Sequence, residues 1–398
     1  MKRKTELFLS LINRATIPVA TFLSLIIFAR TLPADEFNGY LISMTVATWS
    51  IATAFQWQKN TVIRLFDPRE KSTTKYFAVA FLTAAASTVV IFAYSYIDQR
   101  ISSLVAVFVI TTGLTYVLGG ILRSSGRTFA FLTTETLFTL VKWTLGATAA
   151  YFFISTDAIF IGLAIGTSLA CTIAFSIIIK DGYSLFQEKT SALEIRKILG
   201  FGFFLAINDF FGSGLMYVDR LWFSDATVSE SYIIASNIGN QISSVIMGAF
   251  LMVVFPRIST QYKSGGAWEA SFKKYLKLFP GFALTCCAAS YFGAPYLIEF
   301  IKPSLYEIPH LAILVTVSQC CYYLLVFLSI PYLITMRPKT PTLIIALSFI
   351  LFLILGQILI KVETQPQAIV LSKTIILLLS CVASWYLYSK RLPGKAAP

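Results

Sequence analysis

Positive charge alternates along this chain from one link to the next. About twelve long apolar segments stand out, at roughly 7–29, 40–63, 76–97, 101–122, 128–152, 158–179, 198–223, 231–255, 272–293, 308–334, 341–360 and 366–388. Each approaches the roughly 20 residues that a helix rising 1.5 Å per residue needs to cross a bilayer. Of the 32 Lys and Arg, five sit in the odd-numbered links: Arg30, Arg100, Arg220, Lys302 and Lys361. Four lie well inside segments, and the remaining 23 crowd the termini and even-numbered links. Lys273, Lys274 and Lys277, in the first turns of span nine, are counted with the link before it, as Arg220 at the outer end of span seven is counted with the link after it. Cytoplasmic loops carry the Lys/Arg excess, so the crowded side is expected inside, with both termini cytoplasmic and an even number of spans. The sparse side collects acids instead, among them Asp35, Glu36, Asp98 and Asp157.

Composition agrees with lipid as the solvent. Hydrophobic residues make up 57% of the chain and charged residues 13%, against about 25% charged in soluble domains. The net charge of +13 does not imply nucleic acid, because the basic residues are spread over many short links rather than gathered on one surface. All six cysteines fall in apolar segments and the single histidine, His310, has none at ligand spacing; no disulfide framework, metal site or cofactor is expected. The basic start Met1-Lys2-Arg3-Lys4 looks like a signal-peptide lead. The following stretch is too long, contains Asn13 and Arg14, and lacks a small-residue cleavage site, so it is expected to remain as the first span.

The longest link, 181–197, divides the chain into lobes at 1–180 and 198–398, six spans each. Its Ser191–Leu199 stretch is amphipathic and is expected on the inner membrane surface. Both halves carry one passage: Arg30, Tyr40, a span and Arg64 in the first; Arg220, Tyr232, a span and Arg257 in the second. Halves with an even span number share orientation, which makes this a parallel pseudo-repeat, and transporter repeats of that kind place substrate between halves.

These residues resemble a family. The run Ala29-Arg30-Thr31-Leu32-Pro33-Ala34-Asp35-Glu36-Phe37-Asn38-Gly39-Tyr40 is similar to the link after span one in Wzx-type polysaccharide-lipid flippases of the multidrug/oligosaccharidyl-lipid/polysaccharide (MOP) exporter superfamily. The usual ending there is Phe-Gly-x-Tyr. Asn38 replaces the Gly, and its tolerance of left-handed backbone makes the exchange mild. Val218-Asp219-Arg220-Leu221 and Phe255-Pro256-Arg257 resemble the family's span seven and eight motifs, with Ser231 in place of a Gly before Tyr232. The resemblance implies two six-helix lobes, a central cavity and alternating access. It also implies a cargo: an undecaprenyl-diphosphate-linked oligosaccharide moved from the inner to the outer leaflet of the bacterial cytoplasmic membrane.

Charges inside spans need a separate reason, since each costs roughly 2.5–3.5 kcal/mol at mid-membrane on insertion scales. Arg14, Lys59, Lys142 and Lys373 form the candidate cationic cavity for a diphosphate. Lys142 lies mid-span on the same face as Glu135, seven residues away; it reads as cavity-lining, with a packing ion pair as the competing assignment. Lys59 and Arg14 could also snorkel to inner headgroups, and Lys373 outward. Asn13, Gln56, Asn60, Asn208, Asn237, Asn240 and Gln241 are the candidate polar lining, suited to sugar hydroxyls but equally to helix–helix adhesion. Asp209, deep in span seven, is either a coupling carboxylate or half of a structural pair. Glu135 joins the candidate coupling or gating groups, as do Asp219 and Arg220, which read as a lobe-closing pair.

Flippase action accounts for this pattern best. Two headgroup charges leaving a negative interior gain about 4.6 kcal/mol per 100 mV, at about 2.3 each. Coupling to H+ or Na+ stays open. Membrane lipids, a glycan polymerase and glycosyltransferases are the expected partners, and a monomer the expected state. The competing classes are a drug/cation antiporter, which calls for an acidic cavity, and a membrane polymerase or acyltransferase, which calls for His or paired carboxylates.

Overall fold

A computed structural model of the chain describes residues 2–67, 72–184, 192–223, 225–301, 308–335, 337, 339–362 and 365–391. Among these the fold is all-α, in the order α1 (Lys2–Thr31), α2 (Ala34–Ile51), a π turn (Ala52–Gln56), α3 (Trp57–Leu65), α4 (Thr74–Ile97), α5 (Val105–Ser124), α6 (Thr128–Phe153) and α7 (Thr156–Lys180). Then come α8 (Ala192–Tyr217), a 3-10 turn (Val218–Leu221), α9 (Ala226–Lys263), α10 (Trp268–Ile301), α11 (Pro309–Ile334), α12 (Lys339–Val362) and α13 (Pro366–Arg391). Because α2, the π turn and α3 run on without a break, the helical rods number twelve. Nine of them contain stretches long and apolar enough to cross a membrane. The described part of α1 adds a shorter apolar stretch, Thr16–Thr31. The other two are the α2–α3 rod, which carries Gln56, Lys59 and Asn60, and α6, which carries Glu135 and Lys142.

By backbone proximity the chain divides into unit 1, Met1–Ser213, and unit 2, Gly214–Pro398; the division falls within α8. Within each unit the same packing order recurs. In unit 1, α5 packs against the α2–α3 rod, α4 and α7, and α6 packs against α7; in unit 2, α11 packs against α9, α10 and α13, and α12 against α13.

In unit 1 the α6–α7 contact is the closest, because α7 carries Gly162-Leu-Ala-Ile-Gly166. Lipid offers no hydrophobic drive between helices, so small residues that let backbones touch supply van der Waals contact instead. A Cβ on Gly162 would sit 2.6 Å from the Leu145 carbonyl oxygen. Toward the end of α5 rich in basic links, Trp57, Val62, Phe77, Leu118, Ile121 and Ile198 build the buried core of this unit. Two ion pairs fasten the same end, Lys75–Glu194 at 3.1 Å and Arg127–Asp181 at 2.6 Å.

The family-like run at 29–40 fastens the opposite end. Glu36 accepts from the Thr156 backbone N–H at 2.7 Å, and its carbonyl accepts from the Thr156 hydroxyl at 2.7 Å. The Ser43 hydroxyl donates to the Arg100 carbonyl at 3.2 Å and accepts from the Ser102 N–H at 2.9 Å, while the Ser102 hydroxyl donates to Asp157 at 2.5 Å. Asp98 and Arg100 form a two-pronged pair, 2.9 Å at Nε and 2.7 Å at Nη2. This pairing holds the Asp98 carboxyl below the ordinary carboxylate range. Asn38 does not adopt the left-handed backbone by which its exchange for Gly was rationalised. It lies inside α2, and Ile154 is the non-glycine with positive φ among the described residues. Asn38 is buried at 4% exposure, so side-chain size and burial govern that position instead.

Unit 2 is bound by aromatic packing at one end, with Phe272 and Phe327 stacked at 4.9 Å and Phe250 and Tyr388 against them. Hydroxyl pairs join its helices deeper in: Thr316 to Ser290 at 2.9 Å and Ser348 with Ser380 at 2.5 Å. The stretch expected as a surface-lying helix differs from that expectation. From Ala192 onward it forms the first turns of α8, because Ile195, Ile198 and Leu205 find a packing surface in unit 1. Its remainder, 185–191, lies outside the described residues.

Candidate functional site

In unit 1, α6 brings Lys142 to the middle of its 26-residue length. Gly166 on α7 receives the backbone there, so the lysine stem is held at its root. The Lys142 ammonium lies 4.5 Å from the Phe138 ring centroid, 5.2 Å from Trp143 and 6.0 Å from Phe108. Ring faces attract a desolvated cation by about 2 kcal/mol each at best, which offsets part of the burial cost. Among the described residues no carboxylate stands within ion-pair distance of Lys142. The result is a half-buried cation whose contacts are aromatic faces.

Lys59 behaves differently. Its ammonium pairs with Glu135 at 3.5 Å, with the Tyr116 and Phe131 rings 5.1 and 5.5 Å away. The side chains are 17% and 27% exposed, and beside them lies a cavity of about 30 Å³ also lined by Thr115, Thr134 and Phe138. That volume holds a single water. Glu135, which shares a face with Lys142, is therefore engaged across the helices by Lys59. Gln56 and Asn60 are half-buried on the same rod. The π turn ends at Gln56, and one wide turn of that kind inside an α-helix is a frequent mark of functional sites. Asn13 and Arg14 lie in α1 with side chains outside the described residues.

Asp209 on α8 has one carboxylate oxygen buried without a hydrogen-bond partner, while Asn208 bonds the carboxylate. No basic residue pairs with it among the described residues. Trp49 stacks on the adjacent Phe210 at 5.7 Å, holding this turn of α8 against α2.

Unit 2 gathers a separate cluster. The 3-10 turn Val218–Leu221 carries Asp219 and Arg220, which take different hydrogen-bond partners. Asp219 accepts from Lys373 at 2.9 Å and from the Tyr232 hydroxyl. Arg220 donates to Asn237 at 2.7 Å and lies 4.9 Å from the Tyr217 ring. Asp219 and the Lys373 side chain are 1% and 7% exposed. Lys373 neither snorkels nor stands open; it is a buried ion-pair member. Asn240 lines an adjoining crevice with Ser236, Ser318 and Gln319, and Gln241 is half-buried on the same helix. Asn240 Oδ1, Ser318 Oγ and Gln319 Oε1 are buried there without partners.

Sequence reasoning missed the aromatic contacts of Lys142, although Phe138 and Trp143 at i−4 and i+1 were visible. It also missed Gln319, whose signal is a lone amide in an apolar segment.

No protein-family model matches the sequence, and no curated protein does. Solved structures match closely in shape. An inward-facing MATE-family multidrug-resistance transporter of the MOP superfamily superposes at TM-score 0.72 with 13% identity, covering 95% of this chain and 98% of that one. The lipid II flippase MurJ, in an inward closed conformation, gives 0.71 and 16% over 96% and 88%. This chain has the fold of those MATE and MurJ structures. A third MOP-fold protein, from Pyrococcus furiosus, gives 0.62 and 11% over 95% of both chains, and is described by a reversed polarity of its binding pocket. At these identities the likeness speaks to fold, and the polar residues of this MOP-fold chain must be read on their own chemistry.

Proposed function

We propose that this MOP-fold chain moves an undecaprenyl-diphosphate-linked oligosaccharide from the inner to the outer leaflet of the bacterial cytoplasmic membrane by alternating access. The observation that carries this reading is Lys142: a mid-helix cation whose close contacts are aromatic faces, with Glu135, the carboxylate whose charge reaches it, ion-paired to Lys59 instead. Burial of an unpaired charge is strongly disfavoured, so a position that keeps one is explained when a ligand supplies the counter-charge. The flippase among the structural neighbours supports the reading, as does the sequence resemblance. Arg14 is assigned as a second phosphate contact, on the bidentate geometry of guanidinium. Asp209 is assigned to coupling by H+ or Na+, as a buried carboxylate without a basic partner. Lys59 and Lys373, already engaged by Glu135 and Asp219, are assigned to positioning. A glycan polymerase and glycosyltransferases acting on the same lipid are the proposed pathway partners.

A drug/cation antiporter is the second reading, favoured by Asp209 alone. A deletion strain separates the two. Loss of surface glycan with unchanged tolerance to cationic toxicants supports the flippase; altered tolerance with normal glycan overturns it. In the complemented strain, Lys142→Ala lowers glycan export with membrane protein level unchanged, and normal export in that variant removes the role of Lys142.

A further inference from the structure

Unit 1 carries two long apolar grooves. One, of about 560 Å³, runs between α1 and α6 and is walled by Val19, Leu23, Ile27, Leu140, Trp143 and Ala147. The other, of about 320 Å³, runs between α5 and α7 past Val107, Phe160, Ile161, Ile165 and Leu169. No ionisable residue lines either groove. What sets the first apart is Trp143, a wall residue whose ring stands 5.2 Å from the Lys142 ammonium just behind it.

We propose that the α1–α6 groove seats the isoprenoid chain of the lipid-linked substrate, with Lys142 holding the diphosphate where that chain begins. The proposal rests on the flippase reading and adds to it a binding place for the lipid. A polyprenyl diphosphate is a long hydrocarbon with a compact dianion at one end. The groove matches it in both respects. Val19, Leu23 and Ile27 recur every four residues along α1, which places them on one stripe, and the lining from Thr16 to Ile27 extends about 16 Å. That is about half of a 30 Å hydrocarbon core. Two of the groove hydroxyls are turned back on their own helices, Ser24 to the Ala20 carbonyl at 2.8 Å and Thr148 to the Thr144 carbonyl at 2.9 Å, so the surface offered is mostly hydrocarbon. At the charged end, the Trp143 indole N–H is buried without an acceptor. Buried donors are nearly always paired, and a phosphate oxygen held by Lys142 supplies the missing acceptor.

The test uses full-length protein in nanodiscs and a sugar-free polyprenyl diphosphate bearing a diazirine on its chain. Labelling concentrates on α1 and α6 peptides and is competed by unlabelled polyprenyl diphosphate, not by phosphatidylglycerol. In Ala147→Trp, which fills the groove, labelling falls about tenfold; in Ile165→Trp, which fills the α5–α7 groove, it is unchanged. Thr148→Phe provides a second groove-filling variant. Equal labelling of both grooves in the wild type overturns the proposal without recourse to any variant, and so does equal competition by phosphatidylglycerol, which marks a site for any lipid chain. The deletion-strain glycan assay decides the flippase reading separately. Specific labelling with normal glycan export overturns that reading and leaves the groove as a polyprenyl site, whereas lost export with unspecific labelling overturns the groove alone.

Discussion

A Cβ on Gly166 would stand 2.4 Å from the Cα of Lys142. The helix that carries the unpaired cation is therefore pinned at that residue by the neighbour that lacks a side chain. Packing and function meet at one point, because the geometry that lets α7 touch α6 also fixes where the ammonium emerges. Gly166→Leu forces the helices apart, and overpacking of this kind costs about 1–3 kcal/mol. The expected result is a lower melting temperature in detergent together with reduced glycan export. Unchanged melting would show that α6 and α7 separate there without cost.

Charge, rather than volume, is what the Lys142 position requires. Lys142→Arg keeps the cation and retains export above that of Lys142→Met, which preserves the stem but loses the charge. Melting temperature is unchanged or raised in Lys142→Met, since removing a buried unpaired charge relieves desolvation. Export measured beside melting thus separates a ligand-binding lysine from a structural one, which would lose both together.

The Asp219–Lys373 pair behaves in the opposite sense. Breaking a buried ion pair by deleting one partner costs about 3–5 kcal/mol, while replacing both is often neutral. Lys373→Met alone is expected to destabilise unit 2 by about that amount, and Asp219→Asn with Lys373→Met to recover most of it. A double-mutant cycle on thermal stability checks this. Full additivity of the two losses would assign Lys373 to something other than Asp219.

How much of this was legible in the sequence follows from which forces act locally. The twelve rods were readable because solvation of Lys and Arg and of apolar segments depends on each residue's own chemistry, though α9 and α10 run on to Lys263 and Ile301, each eight residues past the expected end. Partners were not readable. Glu135 shares a face with Lys142, yet pairs across helices with Lys59, and Lys373 meets Asp219 from 154 positions away in the chain. Such choices depend on which helices become neighbours, and α11, which packs against α9, α10 and α13, carries almost no helical periodicity to announce them. The π turn at Ala52–Gln56 and the 3-10 turn at Val218–Leu221 were likewise invisible, since both arise where packing against neighbours overrides regular α geometry.

Asp98 offers a pH dependence outside the membrane. Arg100 donates to it from its guanidinium and from its backbone N–H, and holds its folded pKa below the ordinary value of about 3.9. A carboxyl whose folded pKa is depressed contributes stability that is present above its unfolded value and lost as pH falls through the folded one. The pair is partly exposed, so its worth is below about 1 kcal/mol, but the same link presents the Arg100 carbonyl to Ser43 and the Ser102 N–H to the Ser43 hydroxyl. Wild-type protein is therefore expected to melt slightly above Asp98→Asn at neutral pH, with the difference closing as pH drops below about 4. Melting curves of both proteins in detergent across that interval provide the measurement. A difference that persists undiminished at pH 2 would assign the role of Asp98 to its shape and its neutral hydrogen bonds rather than to its charge.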